Sequence, residues 1–177
     1  FRFMDVLKSL SELIKTLMHA NAEDYVKIAK GMDIPLENFK KYIHWKKEGY
    51  SRNCIIKTDD FELILICWNK DDLTPIHGHD DKKCWVYQVD GEMTEIRYKQ
   101  DSEGNLDECN WMTLTPGKLC YMQDDMGYHM LQNESNQKAI TLHLYIKPVE
   151  KCAVYNSDEE CFEERILSFH SIEGILT

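Results

Sequence analysis

An extended strand with two unlike faces is encoded by Ala139-Ile140-Thr141-Leu142-His143-Leu144-Tyr145-Ile146. Successive side chains of a strand point to opposite faces, so the aliphatic residues share one face, and Thr141, His143 and Tyr145 share the other. A hydroxyl, an imidazole and a phenol are groups that line polar pockets. The pattern predicts a strand between an apolar core and a polar barrel interior, and the alternative is a hydrogen-bonded stripe on an exposed face.

The chain around this strand, from Gly49 onward, consists of short runs rich in β-branched and aromatic residues. Turn signals such as Asp90-Gly91 and Pro116-Gly117 separate them. Many short strands at close spacing favour a sandwich or barrel over alternating strands and helices. The predicted strands cover residues 53–57, 61–68, 84–89, 92–98, 111–114, 119–122, 139–146 and 166–170.

The chain before Gly49 has a helical pattern instead. Apolar residues recur at spacings of three and four from Phe3 to Met18, which predicts an amphipathic helix. Two shorter helical pieces are predicted at 22–30 and 36–45, which Gly31 and Pro35 punctuate. We therefore predict one mainly β domain over residues 1–177, with a helical part over 1–48 and a barrel with C-terminal strands over 49–177.

Composition limits the partners and the compartment. The 177 residues include 21 basic and 31 acidic side chains, for a formal charge of −10. A polyanion is repelled on average, so we expect neither nucleic acid nor an anionic membrane as a partner. Seven scattered cysteines without a Cys-x-x-Cys pair fit reduced thiols in the cytoplasm. No apolar run approaches the length of a membrane span, and the absence of an obvious apolar surface stripe predicts a monomer.

Three histidines form a candidate metal site. In an extended chain His77 and His79 project from the same face and could reach one ion, although solvated or merely hydrogen-bonded histidines are common. His129 follows the predicted strand 119–122 and is the natural third imidazole. Three neutral nitrogen ligands leave open positions on an octahedral ion, which suits iron(II) binding both a substrate and dioxygen.

These residues resemble the cysteine dioxygenases, a family of small mononuclear iron cupins. The resemblance begins with His77-x-His79 and with His129 followed by Asn133, which match the two cupin metal-binding motifs. Cys84 stands where most cupins have a glutamate, and that replacement is typical of this family. The other matching pieces are Tyr50-Ser51-Arg52-Asn53, Ile66-Cys67-Trp68, Gly91, Cys120-Tyr121, Leu142-His143-Leu144-Tyr145 and Phe169-His170-Ser171.

The resemblance implies a small, jelly-roll-like barrel in which His77, His79 and His129 hold iron(II). It implies that both atoms of O2 are added to the sulfur of L-cysteine to give cysteine sulfinate, a step of cysteine catabolism and taurine biosynthesis. Arg52 would bind the substrate carboxylate, for which its planar fork is suited, with Tyr50 as a further substrate-binding residue.

The resemblance also implies roles for the groups around the iron. Cys84 and Tyr145 would form a thioether crosslink, and the Tyr145 phenol would orient the substrate or dioxygen. His143 would hydrogen-bond that phenol, with Trp68 packed nearby and Cys152 at the pocket mouth. One departure is Ile146-Lys147-Pro148, where vertebrate members have Ser-Pro-Pro.

Other functions stay open from the sequence. His79, Asp81 and His129 fit the facial triad of 2-oxoglutarate-dependent oxygenases, but that interpretation leaves Cys84 and Tyr145 unexplained. Related cupins oxidise 3-mercaptopropionate or cysteamine, and an arginine for a substrate carboxylate argues against cysteamine. A non-catalytic metal-binding cupin is the third alternative.

Overall fold

The computed structural model describes residues 6–177. The helices are α1 (Leu10–Met18), α2 (Tyr25–Lys30) and two 3-10 helices, Leu36–Tyr42 and Asp124–Met126. The strands are β1 (Ser51–Lys57), β2 (Phe61–Trp68), β3 (Lys83–Asp90), β4 (Met93–Gln100), β5 (Leu106–Leu114), β6 (Leu119–Met122), β7 (Tyr128–Gln132), β8 (Ala139–Ile146), β9 (Lys151–Asn156), β10 (Cys161–Ile166), β11 (Ser171–Ile172) and β12 (Ile175–Leu176). The predicted mainly β architecture with N-terminal helices is confirmed.

The strands form two layers. One is a seven-stranded sheet in the order β12-β11-β1-β2-β8-β3-β6, antiparallel except for the β1–β11 pair. The other contains the sheets β5-β4-β7 and β10-β9. His77 links these two small sheets because it forms β-bridges with both His129 and Val154. Apolar residues of both layers pack together into one buried core, so the layers enclose a common interior.

β8 lies between β2 and β3 and is buried on both faces. Its aliphatic face joins a core that also contains the helices, including the fully buried Leu13 and Phe39. The other face is polar but equally buried, with Thr141, His143 and Tyr145 at most 6% exposed. The predicted strand with an apolar and a polar interior face is therefore confirmed, and the alternative of an exposed stripe is wrong.

The helices follow the predicted order but are shorter than predicted. α1 begins at Leu10, where Ser9 and Glu12 form a capping box, and Phe3 lies outside the described residues. The predicted helix at 36–45 is a 3-10 helix that ends at Tyr42; its seven residues make it long for an element of this kind. Within residues 6–177 no helix combines the length and the apolar character needed to cross a bilayer.

The C-terminal strand prediction is wrong. No strand covers 166–170; instead β10 ends at Ile166, and Leu167 N and His170 N donate to the carbonyls of Glu150 and Arg52. These bonds hold the segment as a connection between β10 and the large sheet. β7, β9, β10 and the two-residue strands β11 and β12 were not predicted. β10 was missed because it is mostly exposed and lacks an apolar alternation.

The turn after β8 is closed by the residue that departs from the vertebrate pattern. Lys147 has a φ of 62°, its N–H donates to Asp60 O at 2.9 Å, and its ammonium contacts Asp60 Oδ1 at 2.8 Å. Residues 6–177 contain no cis peptide bond. The single-domain assignment and its boundary at 48/49 stay predictions.

Candidate metal centre

The fold brings the three predicted metal-binding histidines together. Among the described residues His77, His79 and His129 form a cluster with one ring nitrogen from each within 4.8 Å of the others. His77 and His129 exchange both backbone hydrogen bonds, at 2.9 and 3.1 Å, so the loop between β2 and β3 is paired with β7. This pairing sets the two rings side by side, with centroids 4.6 Å apart.

The outer contacts of the rings leave nitrogens for a metal. His77 Nδ1 lies 2.9 Å from Pro75 O, and His129 Nδ1 lies 2.8 Å from Glu95 Oε1. His129 Nε2 and both nitrogens of His79 are buried without a hydrogen-bond partner in the part of the chain described. Unpaired buried polar atoms are costly, and convergent ones are expected where an ion binds.

The electrostatics also fit a metal ion. Burial lowers the pKa of His77, and it lowers the pKa of His79 and His129 well below the usual value, with a further contribution from neighbouring histidines. The rings are therefore neutral near pH 7, which is the form that ligates a metal. Three imidazoles suit a divalent transition metal better than calcium or magnesium, which prefer oxygen ligands.

Asp124 fixes the loop that carries the first two histidines. Its carboxylate accepts the N–H of His79 at 2.6 Å and that of Asp81 at 2.7 Å. Asp81 is exposed and is not part of the histidine cluster. The 2-oxoglutarate-type triad with Asp81 as a ligand therefore has no counterpart among the described residues. The sequence analysis did not identify Asp124 as a loop anchor.

Glu95 is a second residue that the sequence analysis missed. It is 1% exposed on β4, where Oε1 contacts His129 Nδ1 and Oε2 accepts from Arg97 Nε at 3.0 Å. A carboxylate on the outer nitrogen of a ligating histidine fixes the ring orientation and tautomer. Glu95 shares the inward face of β4 with the buried Met93, but alternation puts Arg97 and Lys99 on that face too, so the sequence carried no clear signal for a buried carboxylate.

A cavity of about 60 Å³ opens beside the histidines. Its lining includes His77, His79, His143, Tyr145, Tyr50 and Arg52. Arg52 Nη1 donates to Ser168 O at 3.0 Å, while Nη2 is buried without a partner among residues 6–177. Cys152, also predicted near the mouth, lines the cavity and is buried.

A hydrogen-bonded row runs from Trp68 to Tyr145 along the polar face of β8. Trp68 Nε1 donates to Thr141 Oγ1 at 2.9 Å, and Thr141 Oγ1 lies 2.9 Å from His143 Nε2. His143 Nδ1 is in turn 3.4 Å from the Tyr145 hydroxyl. Trp68 also packs on Tyr50, with ring centroids 4.8 Å apart. Thr141 thus connects two predicted site residues, a role not foreseen from the sequence.

Cys84 and Tyr145 lie opposite one another on β3 and β8. Burial raises the pKa of the Cys84 thiol strongly, and a hydrogen bond from Tyr145 opposes that shift. Burial likewise raises the pKa of the Tyr145 phenol well above its usual value. Both groups are therefore protonated, and both belong to one buried cluster.

Glu62, on β2, has a fully buried carboxyl group. Its Cα pairs with that of Tyr145, and its Oε2 accepts from Val149 N at 3.3 Å. Burial raises the pKa of Glu62, with the Val149 hydrogen bond and the Arg52 charge opposing the shift. No sequence pattern singled out this residue.

Residues 2–158 match the family model for cysteine dioxygenase type I. The chain belongs to the cysteine dioxygenase type I family. Its relatives include the cysteine dioxygenase type 1 of Rattus norvegicus, 26% identical over 181 residues that cover 96% of this chain and 90% of the relative. The Homo sapiens protein of the same name is 25% identical over 185 residues, covering 98% of this chain and 92% of that relative.

Solved structures support the cupin fold of this cysteine dioxygenase family member. A protein with a double-stranded β-helix domain from Klebsiella pneumoniae superposes with a TM-score of 0.50 at 15% identity, over 66% of this chain and 93% of that one. The TT1209 protein from Thermus thermophilus has the same TM-score at 18% identity, over 62% of this chain and 93% of that one. The predicted cupin-type barrel is confirmed, and family membership makes the chain an enzyme with dioxygenase chemistry at a metal-binding site.

We predict that Glu95→Gln weakens metal binding without abolishing it. The amide keeps the shape of the side chain but removes the negative charge beside His129, and loss of such a partner costs about 10–100-fold in metal affinity. Competition with a chelator at fixed pH measures the change. Glu108→Gln, on the exposed surface of β5, is the matched control; equal affinities of the two variants would contradict the role of Glu95.

Proposed function

We propose that this protein is an iron(II)-dependent thiol dioxygenase that converts L-cysteine and O2 into cysteine sulfinate. One observation carries the proposal: two histidines of the three-histidine cluster, His77 and His79, line the same small cavity as Arg52, whose Nη2 is buried and unpartnered among residues 6–177. A small thiol that also has a carboxylate complements this cavity, because its sulfur suits a metal ion and its carboxylate suits the guanidinium. Membership in the cysteine dioxygenase type I family agrees with this assignment.

Arg52 is the proposed carboxylate-binding residue. Its Nη1 is held by Ser168 O, and the guanidinium packs against the Phe169 ring at 5.3 Å, so it is oriented before any ligand arrives. Among residues 6–177 the Nη2 atom is buried without a partner, so its N–H groups are available to a ligand. Charge-assisted hydrogen bonds to a carboxylate are strong in such surroundings. Cysteamine lacks the carboxylate and is the poorest candidate of the three thiols.

His77, His79 and His129 are the proposed ligands of iron(II). When bound, iron(II) lowers the pKa of the substrate thiol and activates dioxygen for transfer to sulfur. Both oxygen atoms of O2 are added to one sulfur, so the reaction needs no external reductant. The chain contributes proximity, because Arg52 would hold the carboxylate of the substrate beside the ion that the three histidines would bind.

Tyr145 is the proposed positioning group for the sulfur and the oxygen. Its phenol lines the cavity, stays protonated through burial, and can donate a hydrogen bond. The row through His143, Thr141 and Trp68 limits the rotation of that phenol. Tyr50 narrows the cavity beside Arg52 and packs on Trp68.

Oxygen consumption by anaerobically iron-loaded protein tests the function directly. The probes are L-cysteine, 3-mercaptopropionate, cysteamine and 2-oxoglutarate, with products identified by mass spectrometry. We expect L-cysteine to gain both oxygen atoms. Turnover of 3-mercaptopropionate alone would overturn L-cysteine as the substrate. If no probe caused oxygen consumption although iron was bound, the result would favour a non-catalytic metal-binding cupin.

We predict that Arg52→Ala raises the KM for L-cysteine by about tenfold or more while bound iron stays at the wild-type level. The reason is the loss of a charge-assisted hydrogen bond, worth about 1.5–3 kcal/mol. Steady-state kinetics and metal analysis measure the two quantities. Arg52→Lys keeps the positive charge but loses the planar guanidinium, so its KM should lie between those of the wild type and Arg52→Ala. An unchanged KM would exclude Arg52 as the carboxylate site.

We further propose that Cys84 and Tyr145 form a thioether crosslink during turnover. The Cys84 Sγ bonds to a ring carbon of Tyr145, two hydrogen atoms are lost, and O2 accepts the two electrons. The support is the position of the two residues directly opposite one another on β3 and β8.

We predict that Cys84→Ser abolishes any faster-migrating gel band and the matching loss of two hydrogen atoms in the intact mass. Activity falls but iron binding persists, because the thiol is not among the metal ligands. Cys109→Ser, at an exposed thiol on β5, is the control and keeps the band. Complete loss of iron from Cys84→Ser would instead make Cys84 a ligand.

L-cysteine and O2 are the proposed substrates. The monomeric state, the cytoplasmic location and the absence of nucleic acid and membrane partners stay predictions from composition.

A further inference from the structure

A second guanidinium, that of Arg165, lies at the same cavity. On β10 the Cα of Arg165 pairs with that of Cys152 on β9. Directly opposed residues of an antiparallel pair point to one face, and both of these side chains line the cavity. Cys152 is buried and Arg165 is exposed, so Arg165 forms part of the rim rather than the floor.

The charge of Arg165 is available to a ligand. Within residues 6–177 it makes no ion pair. The acidic residues next to it on β10 have other partners: Glu164 contacts Lys151 Nζ at 2.6 Å, and Glu163 accepts from Asn156 Nδ2 at 2.7 Å. A cation without a counterion at the mouth of a cavity attracts anions.

The field of Arg165 reaches two groups of the cavity wall. Burial raises the pKa of Tyr50, and the charges of Arg52 and Arg165 both oppose that rise. Burial also raises the pKa of Cys152, and the same two arginines oppose it. The two guanidiniums therefore act on the same volume from the floor and from the rim.

This local charge is opposite to that of the whole protein. The chain has a formal charge of −10, which disfavours the approach of an anionic substrate. Arg52 and Arg165 place two positive charges at the cavity, which oppose that effect locally. Arg52 is inside and suits a direct hydrogen bond, whereas Arg165 is exposed and acts mainly through its charge.

We propose that Arg165 is a specificity-determining residue that makes the cavity favour thiols with a net negative charge over those with a net positive charge. The inference rests on the proposed function, because it concerns the same cavity and the same substrate class. It assigns Arg165 a role distinct from that of Arg52, since it selects by total charge rather than by the carboxylate alone.

Three small thiols separate these effects because they differ in charge near pH 7. 3-Mercaptopropionate carries one negative charge, L-cysteine is a zwitterion, and cysteamine carries one positive charge. Removing the Arg165 charge should weaken the first, change the second little and strengthen the third. Exposed charge pairs are weak, so the affinities for 3-mercaptopropionate and cysteamine should each change by about threefold to fivefold.

The experiment measures dissociation constants of the three thiols by anaerobic calorimetry on iron-loaded protein, together with oxygen consumption. The variants are Arg165→Gln, the charge-keeping Arg165→Lys, and Lys118→Gln, which removes an equal charge from an exposed loop away from the cavity. We expect the charge-ordered change in Arg165→Gln only, and we expect it to shrink in high salt, since exposed charges are screened.

The outcomes distinguish this inference from the proposed function. If Arg165→Gln changed the affinities in the order of ligand charge but no thiol caused oxygen consumption, the role of Arg165 would be supported and the proposed dioxygenase activity would be overturned. Normal turnover with the same thiol selectivity in Arg165→Gln and Lys118→Gln would overturn Arg165 alone, as would a lysine variant that behaves like the glutamine variant. If the wild type bound none of the three thiols, both would be overturned.

Discussion

The backbone pairing of His77 with His129 is the interaction on which the rest of this structure depends. Both residues give and accept a main-chain hydrogen bond in the pair, and His77 also bridges to β9. The loop between β2 and β3 is thereby built into the second layer of the barrel. Without it the sheets β5-β4-β7 and β10-β9 would lose the segment that joins them. The same bonds that close the layer also bring the imidazoles together, so the fold and the metal centre have one cause.

The buried polar groups around this centre differ in how well they are satisfied. Glu95 has a partner for each oxygen, in His129 and Arg97, whereas His79 has none for either ring nitrogen within residues 6–177. Folding a chain around unpaired donors and acceptors costs free energy. A buried polar side chain whose hydrogen bonds are all made within the protein has a structural role. Buried polar atoms that lack partners and point to one place indicate a ligand site. By this criterion Glu95 has a structural role in the site, whereas His79 is available to bind a ligand.

Sequence patterns predicted those parts of the molecule that follow from local periodicity. The strand 139–146 and its two interior faces were predicted correctly because alternation of side chains is a local property. The His77-x-His79 pair was singled out because alternate residues of an extended chain share a face, and the resemblance to the cupin motifs joined it with His129. Asp124 and Glu95 were missed because an acidic residue is by default a solvated one. Their partners are 45 and 34 residues away in sequence and meet them only in the folded chain. β10 was missed because its exposed, charged sequence has no apolar face.

The pairing of His77 with His129 also bears on the entropy of the unfolded chain. The three candidate ligands come from two chain segments, on either side of the hairpins that contain β3 to β6. An ion held by both segments closes that long stretch into a loop, and loop closure reduces the entropy of the unfolded chain. A ligand that binds only the native state also stabilises it by mass action. A metal bound by these histidines would therefore act as a removable crosslink between two distant chain segments of the second layer.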